Sequence, residues 1–258
     1  MADKFFTNFP EIQYRMDDGK VVFIKDFFRK SKIEQEAVNS IIDYSLYQIP
    51  DGDRPDITAT KLYGNPHLHW TFYLVNNFEN YYDWHKDQQV FEKYIQKKYP
   101  GQVAVASQST DIVARKSSIS DSTNKFLLGE KVTSTSGEGR VILVEPEMNR
   151  IAIDGSGFVA NEAITGKVST KSFTPTSVVD HRDAIAYYKK DNLRKNSESS
   201  GFTSVSLYDD EFEKNEAKRL IKVISPGIIN NVVRRFEQVM KAWQSMFNKV
   251  NLLSTHYQ

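Results

Sequence analysis

Between Arg54 and Trp84 the chain reads RPDITATKLYGNPHLHWTFYLVNNFENYYDW, and eight of those 31 residues are aromatic. The whole sequence carries 12% aromatics, so this segment has about twice the average density. Side chains of that size dominate burial wherever they pack. The punctuation constrains the backbone as well. Pro55 suits the first turn of a helix, and Gly64 suits the left-handed residue that ends one. Asn65 then reads as an N-cap with Pro66 at the first helical position, which predicts a second helix running to Asn76–Asn77. The expectation is a tight helical hairpin followed by an aromatic strand or loop.

Three readings of this hairpin compete. A DNA-binding helix-turn-helix fits the spacing, but Arg54 and Lys61 are outnumbered by Asp56, Glu79 and Asp83, the wrong balance for duplex phosphate. His67 and His69 suggest a metal. Residues two apart on a helix point to nearly opposite faces, however, so both cannot reach one ion. The third reading is a small core, which accounts for Leu62, Tyr63, Leu68, Phe72 and Leu74. It does not account for Tyr81, Tyr82 and Trp84, which cannot all face inward within four residues. Part of that trio is expected to meet a partner.

The chain has 258 residues, ample for one large or two small domains, with 40% hydrophobic and 26% charged residues, as in ordinary folded proteins. A formal charge of +1 provides no field for nucleic acid or acidic membranes. Cysteine is absent, which suits a reducing compartment. No apolar run approaches a membrane span and no signal-peptide core is evident, so a soluble, unexported chain is expected.

Along the chain, FFTNFPEIQYRM reads as extended, Lys20–Phe28 as a strand, Ile33–Asn39 as a short helix, and Ser40–Gln48 as helix or strand. Phe91–Tyr99 is an amphipathic helix stopped by Pro100-Gly101. Ser107–Thr123 reads as a surface connection or weak strand. Residues 126–172 read as a small β module, with RVILV (140–144) and RIAID (150–154) alternating around a polar loop as a hairpin. Gly129, Gly137, Gly139, Gly155, Gly157 and Gly166 are explained as turn residues tolerant of positive φ. Asp209–Val223 has acids first and bases last, as a helix dipole favours. Ser225-Pro226 then precedes a long helix with a stripe of Ile229, Val232, Val233, Phe236, Met240, Trp243 and Phe247. That stripe packs either on the same chain or on another subunit.

No catalytic pattern survives inspection. Gly-x-Ser-x-Gly, His-Glu-x-x-His, a cysteine nucleophile and the phosphate-binding glycine motifs are all missing. His85, His181 and His256 are scattered and read as surface or capping residues. Neither a catalytic, a cofactor-binding nor a metal-ligating residue is assigned. An undetected carboxylate pair would need a cleft to act as a glycosidase.

Arg54-Pro55, Leu62-Tyr63-Gly64-Asn65-Pro66, Leu68, Trp70, Asn76-Asn77 and Tyr81-Tyr82-Asp83-Trp84 together resemble the core motif of a phage tail family. That family is the baseplate wedge subunit of T-even-like contractile-tailed phages, the product of gene fifty-three. Phe9-Pro10, Tyr14 and Asp26-Phe27-Phe28-Arg29 resemble its N-terminal pattern, with Phe27 where an aliphatic residue is usual. Asn215–Ile224 and the helix after Pro226 resemble its closing helices. The resemblance covers roughly residues 5–105 and 180–245. The hairpin also resembles a LysM module, a strand-helix-helix-strand unit that commonly binds N-acetylglucosamine polymers and looks repurposed for protein binding in tail proteins. A second copy, which LysM proteins use to gain affinity, is absent.

The resulting expectation is an α+β fold in three parts. Residues 1–105 would form an N-terminal arm and a LysM-like wedge unit. Residues 106–178 would be a small antiparallel β insertion with linkers, and 179–258 a C-terminal helical region. The resemblance implies a structural, non-enzymatic subunit of the virion's tail baseplate, assembled in the host cytoplasm and present in multiple copies in a ring. It implies other wedge proteins as partners, namely the helical wedge scaffold subunits and the lysozyme-like sheath-initiating subunit. The alternatives are a LysM-type protein binding peptidoglycan or chitooligosaccharide, and an unrecognised hydrolase. The expected partner-facing residues are Tyr81, Tyr82, Trp84, Phe236, Met240, Trp243 and Phe247.

Overall fold

The computed structural model describes residues 9, 11–26, 44–106, 126–196 and 198–254, without the side chains of 147, 243, 244 and 246–254. The expected helix at 33–39, the connection at 107–123 and His256 lie outside the described residues, as do the side chains of Trp243 and Phe247. The chain forms two compact units, one of residues 1–86 with 216–258 and one of residues 87–215.

The first unit opens with a hairpin of β1 (Glu11–Arg15) and β2 (Val21–Lys25), turned at Gly19 with φ +82°. Strand β3 (Tyr44–Gln48) follows, which settles the helix-or-strand ambiguity there. The helical hairpin forms where the punctuation placed it. Helix α1 (Pro55–Tyr63) begins with Pro55 in its first turn and ends on left-handed Gly64, whose N–H reaches the Thr60 carbonyl. Asn65 then caps a 3-10 turn, Pro66–His69, by accepting from the His67 N–H at 3.0 Å. Helix α2 (Trp70–Asn76) continues from it and ends on left-handed Asn77.

The second unit starts at α3 (Gln88–Lys98), capped by Asp87, whose carboxylate accepts the Val90 N–H. Ten strands follow among the described residues: β4 (Gln102–Val105), β5 (Lys131–Thr133), β6 (Glu138–Glu145), β7 (Arg150–Ser156), β8 (Ile164–Gly166), β9 (Ser172–Phe173), β10 (Ser177–Asp180), β11 (Ile185–Lys190), β12 (Leu193–Lys195) and β13 (Thr203–Ser206). The first seven form one antiparallel sheet in the order β10-β4-β7-β6-β5-β8-β9, and the last three form another in the order β12-β11-β13. The β6–β7 pair is the hairpin expected at 140–154. Strand β7 is covered on both faces: Ile151 and Ile153 lie in a core with Val132, Val141 and Ile164, and Ala152 packs with Val103 and Ala184. Because β4 and β10 belong to this sheet, it reaches beyond the 106–178 expected for the β insertion, and the compact unit that holds it runs from 87 to 215.

Helix α4 (Leu207–Ala217) leads back to the first unit, where β14 (Leu220–Ile224) pairs antiparallel with β3 and α5 (Ile229–Ser254) closes the chain. Two expectations are corrected here. The helix foreseen at 209–223 stops at Ala217, since LIKVI is a β-branched alternating run that gains a partner strand in β3. The region 179–258 is likewise not purely helical, because β11–β13 occupy 185–206. The glycines also divide in two. Gly129 and Gly157 do have positive φ, but Gly139 and Gly155 do not. They face each other across β6–β7, where a Cβ on Gly155 would lie 2.3 Å from the Glu138 carbonyl oxygen, so close backbone approach is what requires them.

Two loops of the sheet are tied by the buried Glu130. Its carboxylate accepts N–H groups from Leu127 at 2.7 Å, Ser169 at 3.0 Å and Val168 at 3.2 Å. Burial alone would raise its pKa, but these hydrogen bonds outweigh it and hold the carboxyl below its ordinary value of 4.5. Glu130→Ala orphans three amides and is expected to cost about 3 kcal/mol at neutral pH. The depressed pKa makes this contribution complete above pH 4.5 and lost as pH falls through the folded value. Denaturant melts should therefore show the gap between variant and parent closing in acid.

Candidate protein-binding surface

The aromatics of the first unit sort into an enclosed set and an exposed pair. Phe72 is fully buried, with the Tyr63 and Trp84 rings each at 5.7 Å. Phe78 meets Trp84 edge-on at 6.4 Å. Trp84 is only 3% exposed, and its indole N–H donates to the Asp53 carbonyl at 2.8 Å. On α5 the stripe is equally enclosed. The Phe236 ring lies 4.7 Å from that of Trp70, and Met240 is 1% exposed in a core with Phe9, Leu68, Ile224, Ile229 and Val233. Trp84, Phe236 and Met240 were expected at a partner interface, yet they are core residues of their own unit. The apolar stripe of α5 is satisfied within the chain over its described side chains.

Tyr81 and Tyr82 remain outside, 55% and 73% exposed. They sit on a 3-10 turn, Tyr81–Asp83, that is fixed from both ends. Asn80 accepts the Tyr82 N–H at 2.8 Å, and the Asp83 carboxylate accepts the N–H groups of Glu79 and Asn80 at 2.8 and 3.1 Å. The Tyr82 carbonyl takes hydrogen bonds from Lys86 at 2.8 Å and Lys218 at 3.3 Å. Burial of Trp84 one residue further on anchors the end of the turn. The two rings meet edge-on at 6.3 Å. The hydrogen bonds fix the backbone of the turn, and each tyrosine offers both an apolar face and a hydroxyl.

The surrounding ionisable groups brace this turn. His85 is buried and its Nε2 lies 3.2 Å from Glu216. Glu216 also receives Arg219 at 2.9 and 3.1 Å, and that guanidinium reaches Asp51 at 2.8 Å. Arg219 foremost, with His85 adding, holds the Glu216 carboxyl below the usual range. His181, in the second unit, is buried with Nδ1 3.0 Å from the Pro100 carbonyl, and burial lowers its pKa. His85 and His181 are thus interior residues, not the surface or capping residues expected. His69 turns Nδ1 to the Pro66 carbonyl at 2.9 Å, and His67 is exposed. Among the described residues no three His, Asp or Glu side chains are grouped to hold a metal ion. No helix among them is long and apolar enough to cross a membrane.

The geometry of this surface is an exposed tyrosine pair on a capped turn, set on an aromatic core. Residues 4–113 match the family model described as Base plate wedge protein 53. Among curated proteins, the chain is 30% identical over 98 residues to Baseplate wedge protein gp53 of Enterobacteria phage T4. That match covers 36% of this chain and 50% of the relative, so the chain spans about half the length of the relative it matches. Strands β5–β13 lie beyond the matched residues.

Two expectations separate core from surface. Trp84→Ala should lower stability by about 3–5 kcal/mol, whereas Tyr82→Ala should stay within about 0.5 kcal/mol of the parent; equilibrium unfolding of both variants reads the difference. Burial also pushes Tyr63 and Tyr73 up to about 12, with the charges of Tyr81, Asp83 and Asp56 adding at Tyr73. Their neutral forms contribute stability that is complete below pH 10.0 and lost as pH rises toward 12. Thermal melts between those limits should show a steep fall in Tm that Tyr63→Phe makes shallower.

Proposed function

We propose that this protein is a structural, non-enzymatic subunit of a contractile phage tail baseplate wedge, joining neighbouring wedge proteins around the tail tube. The observation that carries this is the match of residues 4–113 to the wedge family, over the segment that contains the rigid Tyr81–Tyr82 turn. Its place is the virion, in the tail baseplate, and it assembles in the host cytoplasm in multiple copies. The partners are other wedge proteins, among them the helical wedge scaffold subunits and the lysozyme-like sheath-initiating subunit. Tyr81 and Tyr82 form the centre of one contact, with Lys86, Lys218 and Glu79 around it. No bound cofactor or metal is required for this role.

Co-expression with the neighbouring tail-gene products, followed by size-exclusion chromatography with mass detection, tests the proposal. The chain should co-migrate in a heteromeric complex of defined mass. Joint replacement of Tyr81 and Tyr82 by Ala should weaken that complex by about 2 kcal/mol or more, with the fold intact. A chain that stays monomeric beside every tail protein contradicts the reading.

A further inference from the structure

The two-stranded sheet β3–β14 has one closed edge and one open edge. On the β14 side, the Asn76 side chain donates to the Lys222 carbonyl and accepts the Lys222 N–H, both at 2.8 Å, and Tyr63 donates to the Ile224 carbonyl at 2.9 Å. Lys222 and Ile224 therefore point their backbone groups away from β3. By the alternation of an antiparallel pair, their partners Leu46 and Tyr44 direct N–H and C=O outward on the opposite edge. Among the described residues nothing bonds those groups. The strand YSLYQ carries no charge, proline or bulge, the features that usually protect an edge, and Leu46 beside it is 68% exposed.

A second open edge lies in the β1–β2 hairpin. The Met16 N–H bonds to the Lys20 carbonyl at 2.8 Å, which fixes the alternation. Tyr14 and Val22 face inward, while Val21 and Phe23 direct their N–H and C=O outward from β2. Phe23 is 66% exposed, Val21 57%, Tyr14 52% and Met16 47%. An isolated hairpin exposing apolar side chains on both faces is marginal in water and gains from being covered. Its outer run VVFI is uncharged, as β3 is, so juxtaposing the two edges buries no unpaired charge.

We propose that β2 of one copy adds to the open edge of β3 in a second copy, extending β3–β14 into a sheet that crosses the subunit boundary. The contact is head-to-tail. Each copy keeps one donor and one acceptor edge, so association continues until a ring closes or a filament grows. This deepens the wedge reading by supplying a like-to-like contact between copies. A single joint of a few residues per strand is small beside the ~800 Å² per partner of a standard interface, so it is weak alone and reinforced by closure.

The outward N–H groups allow a clean test, since proline there removes no bond within the chain. Sedimentation velocity on the full chain should show concentration-dependent self-association, weakened at least tenfold in Leu46→Pro and in Phe23→Pro. Mixing the two variants should restore dimers and nothing larger, because each retains the edge the other lacks. Should either variant unfold by circular dichroism, Leu46→Lys and Phe23→Lys replace it. Weak contact is also captured covalently: the cysteine-free chain permits Leu46→Cys and Phe23→Cys singly, and their mixture should oxidise mainly to the mixed disulfide dimer. Absence of that dimer overturns the proposal. So does loss of association in Leu46→Pro with Phe23→Pro unaffected, which would mean β3–β3 pairing, and so does an intramolecular disulfide in the dilute double variant. If these fail while the chain still co-migrates with tail proteins, the wedge reading stands without the like-to-like joint.

Discussion

The pairing of β14 with β3 is the constraint on which the first unit depends. The two strands come from opposite ends of the sequence, and no other element can bring Ile221 and Val223 beneath Phe72, Trp84 and Ile49. The same pairing places Ile224 under α5, where Trp70, Phe236 and Met240 complete a second core. Asn76 then makes the helical hairpin part of the sheet, because its amide satisfies Lys222 as a neighbouring strand would. Loss of β14 would expose both cores at once. The second unit is thus inserted in sequence between α2 and the strand that closes the first, and closure requires long-range contacts that carry an entropic cost.

This arrangement separates the exposed tyrosine pair from the stabilising interactions. Trp84 and Tyr82 are two residues apart, yet one is held in the core by Asp53 and the Phe72 ring and the other stands in solvent. The Asn80–Asp83 cap makes that division sharp by fixing the turn between them. Changes at the exposed pair therefore leave the buried aromatic packing in place.

Local signals were legible in the sequence wherever a single residue decides the backbone. Pro55, Gly64, Asn65 and Asn77 bounded the helical hairpin correctly, and the alternation at 140–154 gave the β6–β7 hairpin. Legibility failed where the decision was tertiary. Residues 220–224 continue an amphipathic charge pattern from α4, and only pairing with β3 makes them a strand. The burial of Trp84 was hidden for a similar reason, since its lid is Ile221 and Val223 from the far end of the chain. Gly139 and Gly155 looked like turn residues because cross-strand proximity leaves no trace in a linear pattern. Of the expected contact residues within the described side chains, Tyr81 and Tyr82 alone are exposed, and solvent exposure is what distinguishes them from their neighbours.

The central claim is that the Tyr81–Tyr82 face is covered in the assembled tail and open in the free protein. Hydroxyl-radical footprinting of purified particles against the isolated chain, read by mass spectrometry at single residues, measures this directly. The account predicts that Tyr81 and Tyr82 are oxidised in the free chain and strongly protected in the particle, with Trp84 protected in both. Equal oxidation of the two tyrosines in particle and free chain, or absence of the chain from the particle, would contradict it.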